Sequence, residues 1–73
     1  MTLVAGYDAT PIRWRRFECF LSQEELAAAV FASRQTIRSI ELGRSTPSVS
    51  LALAIARVLD STVEELFAAA ELR

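Results

Sequence analysis

Within six residues, Arg34, Gln35, Thr36, Arg38 and Ser39 gather hydrogen-bonding side chains around Ile37, and Ile40 follows at helical spacing. If Ile37 and Ile40 mark the inner side of a helix, Arg34, Gln35, Arg38 and Ser39 occupy its other faces. A guanidinium grips a phosphate or the guanine edge through two parallel hydrogen bonds, a carboxamide does the same at adenine, and a threonine methyl can lie against thymine. Each good base pairing of this kind is worth roughly 1–3 kcal/mol of discrimination. The chemistry on offer is the reading of double-stranded DNA.

Catalytic chemistry finds no comparable footing. The chain has no histidine, no lysine and no glycine-rich phosphate loop. Ser22 and Ser33 lack a neighbouring base and are better explained as helix caps. Glu24 and Glu25 are successive residues of a helix, so they point apart and form no acid/base pair. One cysteine, Cys19, allows neither an internal disulfide nor a zinc cluster, and it reads as a small apolar side chain in a reducing cytoplasm. No enzyme, metal or cofactor is implied. No apolar run suggests a membrane span, and the start of the chain lacks the pattern of a signal peptide, so the expected location is cytoplasmic.

The formal net charge of −1 suits a nucleic-acid binder poorly until it is divided along the chain. From Arg13 to Arg44, six arginines face four glutamates, a surplus of +2. From Ser45 to Arg73, two arginines face four carboxylates, a balance of −2, and Asp8 supplies the rest. Such an asymmetry can orient a protein on DNA, though a solvated surface explains it equally well. All eight basic residues are arginine. That choice fits bidentate recognition, and genome composition would produce it as readily.

Helices must position these side chains. With 73 residues and 52% hydrophobic content there is room for one small domain and one core. A first helix is expected from about Ile12 to Phe20, with Ile12, Trp14, Phe17, Phe20 and Leu21 as its apolar residues. Ser22 and Glu25 form a capping box that starts a second, whose inner stripe is Leu26, Ala27 and Val30. Ser33 caps the third, and Gly43 ends it. A fourth, about Ser48 to Leu59, is apolar almost all round and is expected to be buried on more than one side. Thr62 and Glu65 repeat the capping box for a fifth, from Val63 to about Ala70. Residues 1–11 are either a disordered leader or an arm that pairs with a partner subunit, and residues 12–73 form the domain.

Gln23, Leu26, Ala27, Val30, Ser33, Ile37, Ile40, Glu41, Gly43, Pro47 and Leu59 carry a resemblance to the Cro/phage-repressor (XRE-type) helix-turn-helix family. Thr62 to Phe67 resembles the closing segment of its small single-domain members. The resemblance implies an all-α, compact five-helix repressor-like DNA-binding domain with an N-terminal arm. It also implies a homodimer on a near-palindromic operator, acting as a transcriptional regulator and most simply as a repressor. By the same resemblance, Ser22 and Gln23 contact phosphate, as do Arg44, Ser45 and Thr46. Arg34, Gln35, Thr36 and Ser39 match the base-reading positions, with Arg38 near the backbone. Arg16 and Glu41 match a pair read as structural, tying the first helix to the third.

The family usually places glycine where this chain has Phe20, Phe31 and Asp60. Those turns are strained, or differ in geometry, or gain contacts that offset the strain; an ordinary residue in a left-handed backbone costs roughly 1–2 kcal/mol. Trp14 and Arg15 also depart from the family pattern of the first helix. Trp14, Phe17, Phe20 and Phe31 then form one aromatic cluster, either a rearranged core or a surface for a protein partner. Leu66, Phe67, Ala70, Leu53 and the arm are the candidate dimer surface. The alternative to a DNA-bound regulator is an antitoxin or other protein-binding module that neutralises a partner, with or without autoregulation. The acidic second half would suit that role, but only about eleven residues precede the first helix, little for the extra segment that neutralisation usually needs.

Overall fold

The structure, a computed structural model, describes residues 10–71, without the side chains of Thr10 and residues 68–71. Five helices follow one another: α1 (Thr10–Glu18), α2 (Gln23–Ala29), α3 (Arg34–Glu41), α4 (Val49–Val58) and α5 (Val63–Glu71). There is no strand among the described residues. The expected arm falls largely on residues 1–9, outside the described residues. Thr10 and Pro11 belong to α1, where a proline near the helix start removes an N–H that has no intrahelical partner anyway.

Local side-chain chemistry starts four of these helices. Ser22 Oγ accepts from the Glu25 N–H at 2.9 Å, and Glu25 Oε1 accepts from the Ser22 N–H at 2.8 Å. Thr62 and Glu65 repeat this reciprocal box at 3.0 and 3.1 Å, and Ser61 adds a hydroxyl donated to the same carboxylate at 2.8 Å. Ser33 and Ser48 each accept one N–H, from Thr36 and Leu51. Each bond from a backbone N–H satisfies a donor that the helix start would otherwise leave unpaired.

The helix ends share one device. After α1, α2, α3 and α4 the chain passes through a left-handed residue, at Phe20 (φ 58°), Phe31 (φ 59°), Gly43 (φ 75°) and Asp60 (φ 53°). Each makes the paired backbone bonds of a Schellman motif, for example Phe31 N–H to Ala28 O and Ala32 N–H to Ala27 O. Only one of the four is glycine. The turns at Phe20 and Phe31 therefore keep the geometry expected of glycine. Nor do their rings gain compensating contacts, since Phe20 is 92% and Phe31 98% exposed. Of the three alternatives, strain is the one that holds.

The core is assembled from Ile12, Leu26, Ala27, Val30, Ile37, Ile40, Ala52, Ile55, Ala56, Leu59, Leu66 and Phe67. Two expectations fail here. The first helix contributes Ile12 alone to the buried core, while Trp14, Phe17 and Phe20 are exposed. The expected aromatic cluster shrinks to Trp14 against Phe17, edge to face at 6.2 Å. The fourth helix is not surrounded either: Ala52, Ile55 and Ala56 face inward, and Val49 and Leu53 face out. Five short helices enclose one small core, and among the described residues α4 packs chiefly against α2 and α5.

Arg15, which departs from the family pattern of the first helix, finds its partners at the end of α4. Its Nε donates to Leu59 O at 2.7 Å and its Nη2 to Asp60 O at 3.1 Å. It thereby serves carbonyls that the end of α4 leaves unpaired. Cys19 is half-buried beside the core and directs its thiol towards the same Leu59 carbonyl at 3.7 Å.

Candidate nucleic-acid interface

Helix α3 is held by Ile37 and Ile40, both essentially fully buried. The helical repeat then turns Arg34, Gln35 and Arg38 into solvent, with Thr36 and Ser39 half-buried at the margins. Thr36 is partly occupied locally, its hydroxyl lying 2.8 Å from Ser33 Oγ. Among the described residues the side chains of Arg34 and Arg38 have no carboxylate partner. They present uncompensated guanidiniums along an exposed helix face.

Two flanks accompany this face. At the start of α2, Ser22 is exposed, and its capping role uses an oxygen lone pair while leaving the hydroxyl proton available. Gln23 is half-buried, and its Nε2 donates to Glu41 Oε1 at 3.0 Å, leaving a second amide N–H. Past α3, Arg44, Ser45 and Thr46 are exposed on the loop that follows the Gly43 turn.

Arg16 and Glu41 hold these parts together. Arg16 Nε donates to Glu41 Oε2 at 2.6 Å and Nη2 to Oε1 at 3.1 Å, a bidentate pair with both side chains buried. The third nitrogen, Nη1, donates to Leu21 O at 2.9 Å. With Gln23 on the same carboxylate, one ionic centre joins α1, the turn after it, the start of α2 and the end of α3. A buried charge pair needs such extra hydrogen bonds to offset its desolvation.

The helix-turn-helix family model matches residues 12–66, from the buried isoleucine of α1 to the buried leucine of α5. The chain belongs to the helix-turn-helix family, in its Cro/phage-repressor (XRE) type. It is 49% identical over 59 residues to an HTH-type transcriptional regulator of Methanothermobacter thermautotrophicus, covering 80% of this chain and 86% of that one. An HTH-type transcriptional regulator of Archaeoglobus fulgidus is 45% identical over 58 residues, covering 80% and 83%. The fold is that of the clp gene regulator ClgR from Corynebacterium glutamicum, with a TM-score of 0.80 at 23% identity over 96% of this chain and 74% of that one. A second ClgR structure gives 0.78 at 22% identity, covering 97% and 92%. This is a family of DNA-binding transcriptional regulators, not of enzymes.

Within this helix-turn-helix domain, the candidate dimer surface needs correction. Leu66 is 1% and Phe67 5% exposed, so both belong to the core and neither is available to a second subunit. Phe67 departs from helical geometry (φ −127°), a kink within α5. The side chain of Ala70 and the arm lie outside the described residues. Leu53 does face out, and Val49, which the sequence did not single out for this role, is 77% exposed beside it. The two border an apolar groove of about 270 Å³ lined also by Thr46, Pro47, Ala52, Val63 and Phe67. Val49 escaped notice because an apolar residue at the start of a nearly all-apolar helix carries no mark of which way it points.

No helix among the described residues is long and apolar enough to cross a membrane.

Proposed function

We propose that this chain represses transcription as a two-fold dimer on a near-palindromic operator in the cytoplasm, with α3 of each subunit in the major groove. The observation that carries this reading is the exposed Arg34–Gln35–Arg38 face of α3, whose arginines have no carboxylate partner among the described residues, backed by two buried isoleucines. In the helix-turn-helix arrangement the N-terminal residues of the second helix of the motif reach base edges. Arg34 and Gln35 stand there, with Thr36 and Ser39 beside them and Arg38 towards the backbone. Ser22, Gln23, Arg44, Ser45 and Thr46 contact phosphates on either side. Two such helices about 34 Å apart occupy successive major grooves and block access by bulk alone. The subunits meet through Val49, Leu53 and the apolar groove between them.

Selection of binding sites from a random duplex library at fixed salt tests the reading, and enrichment of an inverted repeat is the expected result. On the selected site, Arg34→Ala and Gln35→Ala relax base preference. Gln23→Ala and Arg44→Ala weaken all sequences alike and flatten the salt dependence. If none of the four changes affinity, α3 is not the reading helix.

A second reading, a module that binds and neutralises a protein partner, has one observation in its favour. Trp14, Phe20 and Phe31 expose large apolar surface, which is unusual to leave in water on so small a domain. Co-purification of a stoichiometric partner that Phe20→Ser/Phe31→Ser releases would support it. Absence of any enriched DNA motif would make it the leading reading.

A further inference from the structure

A polar groove of about 220 Å³ runs between α1 and α3, lined by Arg13, Arg16, Gln23, Arg38, Glu41 and Leu42. Its charge is decided by what is already occupied. Glu41 accepts two bonds from Arg16 and one from Gln23, so the acid and one arginine neutralise each other inside the wall. What remains is Arg13 and Arg38, both exposed and, among the described residues, without a carboxylate partner. Two guanidiniums and the second Gln23 N–H thus border a groove with no free negative charge.

Arg13 is also held in place. Its guanidinium lies 5.8 Å from the centre of the Phe17 ring, one helical turn along α1, and Arg16 lies 4.8 Å from the same ring. Trp14 packs edge-on against that ring. A cation resting on an aromatic face in this way is attracted by the ring's electrons, so the side chain is partly ordered before any ligand arrives. This gives the exposed Trp14–Phe17 pair a purpose that core packing does not.

We propose that this groove is a phosphate site, in which Arg13 of α1 and Arg38 of α3 together hold one phosphodiester of the DNA strand beside the major groove entered by α3. The proposal rests on the DNA-reading function and adds to it a contact from α1, outside the helix-turn-helix segment. It gives Arg38, already directed towards the backbone, a specific phosphate and a partner in Arg13. Planar guanidiniums suit the task because each can meet two phosphate oxygens at once.

Fluorescence anisotropy on the selected operator and an unrelated duplex, between 50 and 200 mM salt, tests it. Neutralising one phosphate contributes about 0.9 to the slope of log K against log salt. Arg13→Ala is expected to weaken both duplexes to a similar extent and to lower that slope by about 0.9 for each bound subunit. Arg38→Ala should do the same, and the double variant should lower the slope no further, because the phosphate is held only while both side chains engage it. Circular dichroism melts should show both variants folded, with midpoints within a few degrees of the parent, since both residues are exposed and only Arg13 gives up a ring contact. An unchanged slope for Arg13→Ala, or slope losses that add in the double variant, would overturn the shared site. Arg34→Ala separates the two levels of inference. Loss of operator preference in Arg34→Ala with no effect of Arg13→Ala removes the groove and leaves the reading helix standing. Failure of the parent protein to bind either duplex removes both.

Discussion

Replacing Phe31 by glycine should make this protein more stable, although it deletes a large apolar side chain. Phe31 has φ 59° in the turn between α2 and α3, where the Cβ of an ordinary residue costs roughly 1–2 kcal/mol. At 98% exposure the ring has almost no packing to lose. Against the relief stands the greater freedom of an unfolded glycine, about 0.5–1 kcal/mol. The difference leaves a gain of about 0.5–1 kcal/mol for Phe31→Gly. In a domain of this size each kcal/mol moves the melting midpoint by roughly 4–8 °C, so the expected rise is about 2–8 °C. Phe31→Ala is the decisive control, because it removes the ring but retains a Cβ in the left-handed backbone. It should stay within about 0.5 kcal/mol of the parent. Thermal unfolding by circular dichroism, with urea titrations for the free energies, measures both. If alanine stabilises as much as glycine, the gain comes from removing an exposed ring and the strain argument is wrong; if glycine destabilises, the ring has contacts that the structure lacks.

Glu41→Ala should cost about 3–5 kcal/mol by leaving Arg16 charged and buried, a large share of the roughly 4–11 kcal/mol total expected for 73 residues; a urea midpoint near that of the parent would mean the pair is better solvated than its burial indicates. Acidification should loosen the start of α5. The Ser61 hydroxyl first, and then the Thr62 backbone and hydroxyl, hold the Glu65 carboxyl below its ordinary value of 4.5. Its contribution is therefore complete above that value and is lost as the pH falls from it through the lowered folded-state value. The melting difference between the parent and Glu65→Gln should shrink across that window, and a gap independent of pH would refute the assignment. Val49→Glu should yield a monomer by light scattering that still unfolds cooperatively, since Val49 is exposed in the single subunit, with a midpoint lowered only by the loss of association; a persistent dimer would place the interface elsewhere.

Features made of near neighbours were legible in the sequence. The two capping boxes, the Ser33 cap, the Gly43 turn and the paired isoleucines of α3 all depend on residues a few positions apart, whose bonding is decided by helix geometry. That was sufficient to define five helices and to turn an Arg/Gln face outward. Side chains whose partners are distant in the chain were not legible. Arg15 reaches carbonyls 44 and 45 residues away, and Gln23 turns to an acid 18 residues on. An apolar side chain states its preference for burial but not whether a neighbour will be present to bury it. Only the packing of α1 and α4 decided that Ile12 goes inside, that Trp14, Val49 and Leu53 do not, and that Leu66 and Phe67 close the core instead of a dimer. The left-handed turns join the two kinds of information. Sequence placed Phe20 and Phe31 where glycine was expected, and the tertiary structure kept the turn geometry because the backbone bonds and the buried residues on either side outweigh the strain at one Cβ.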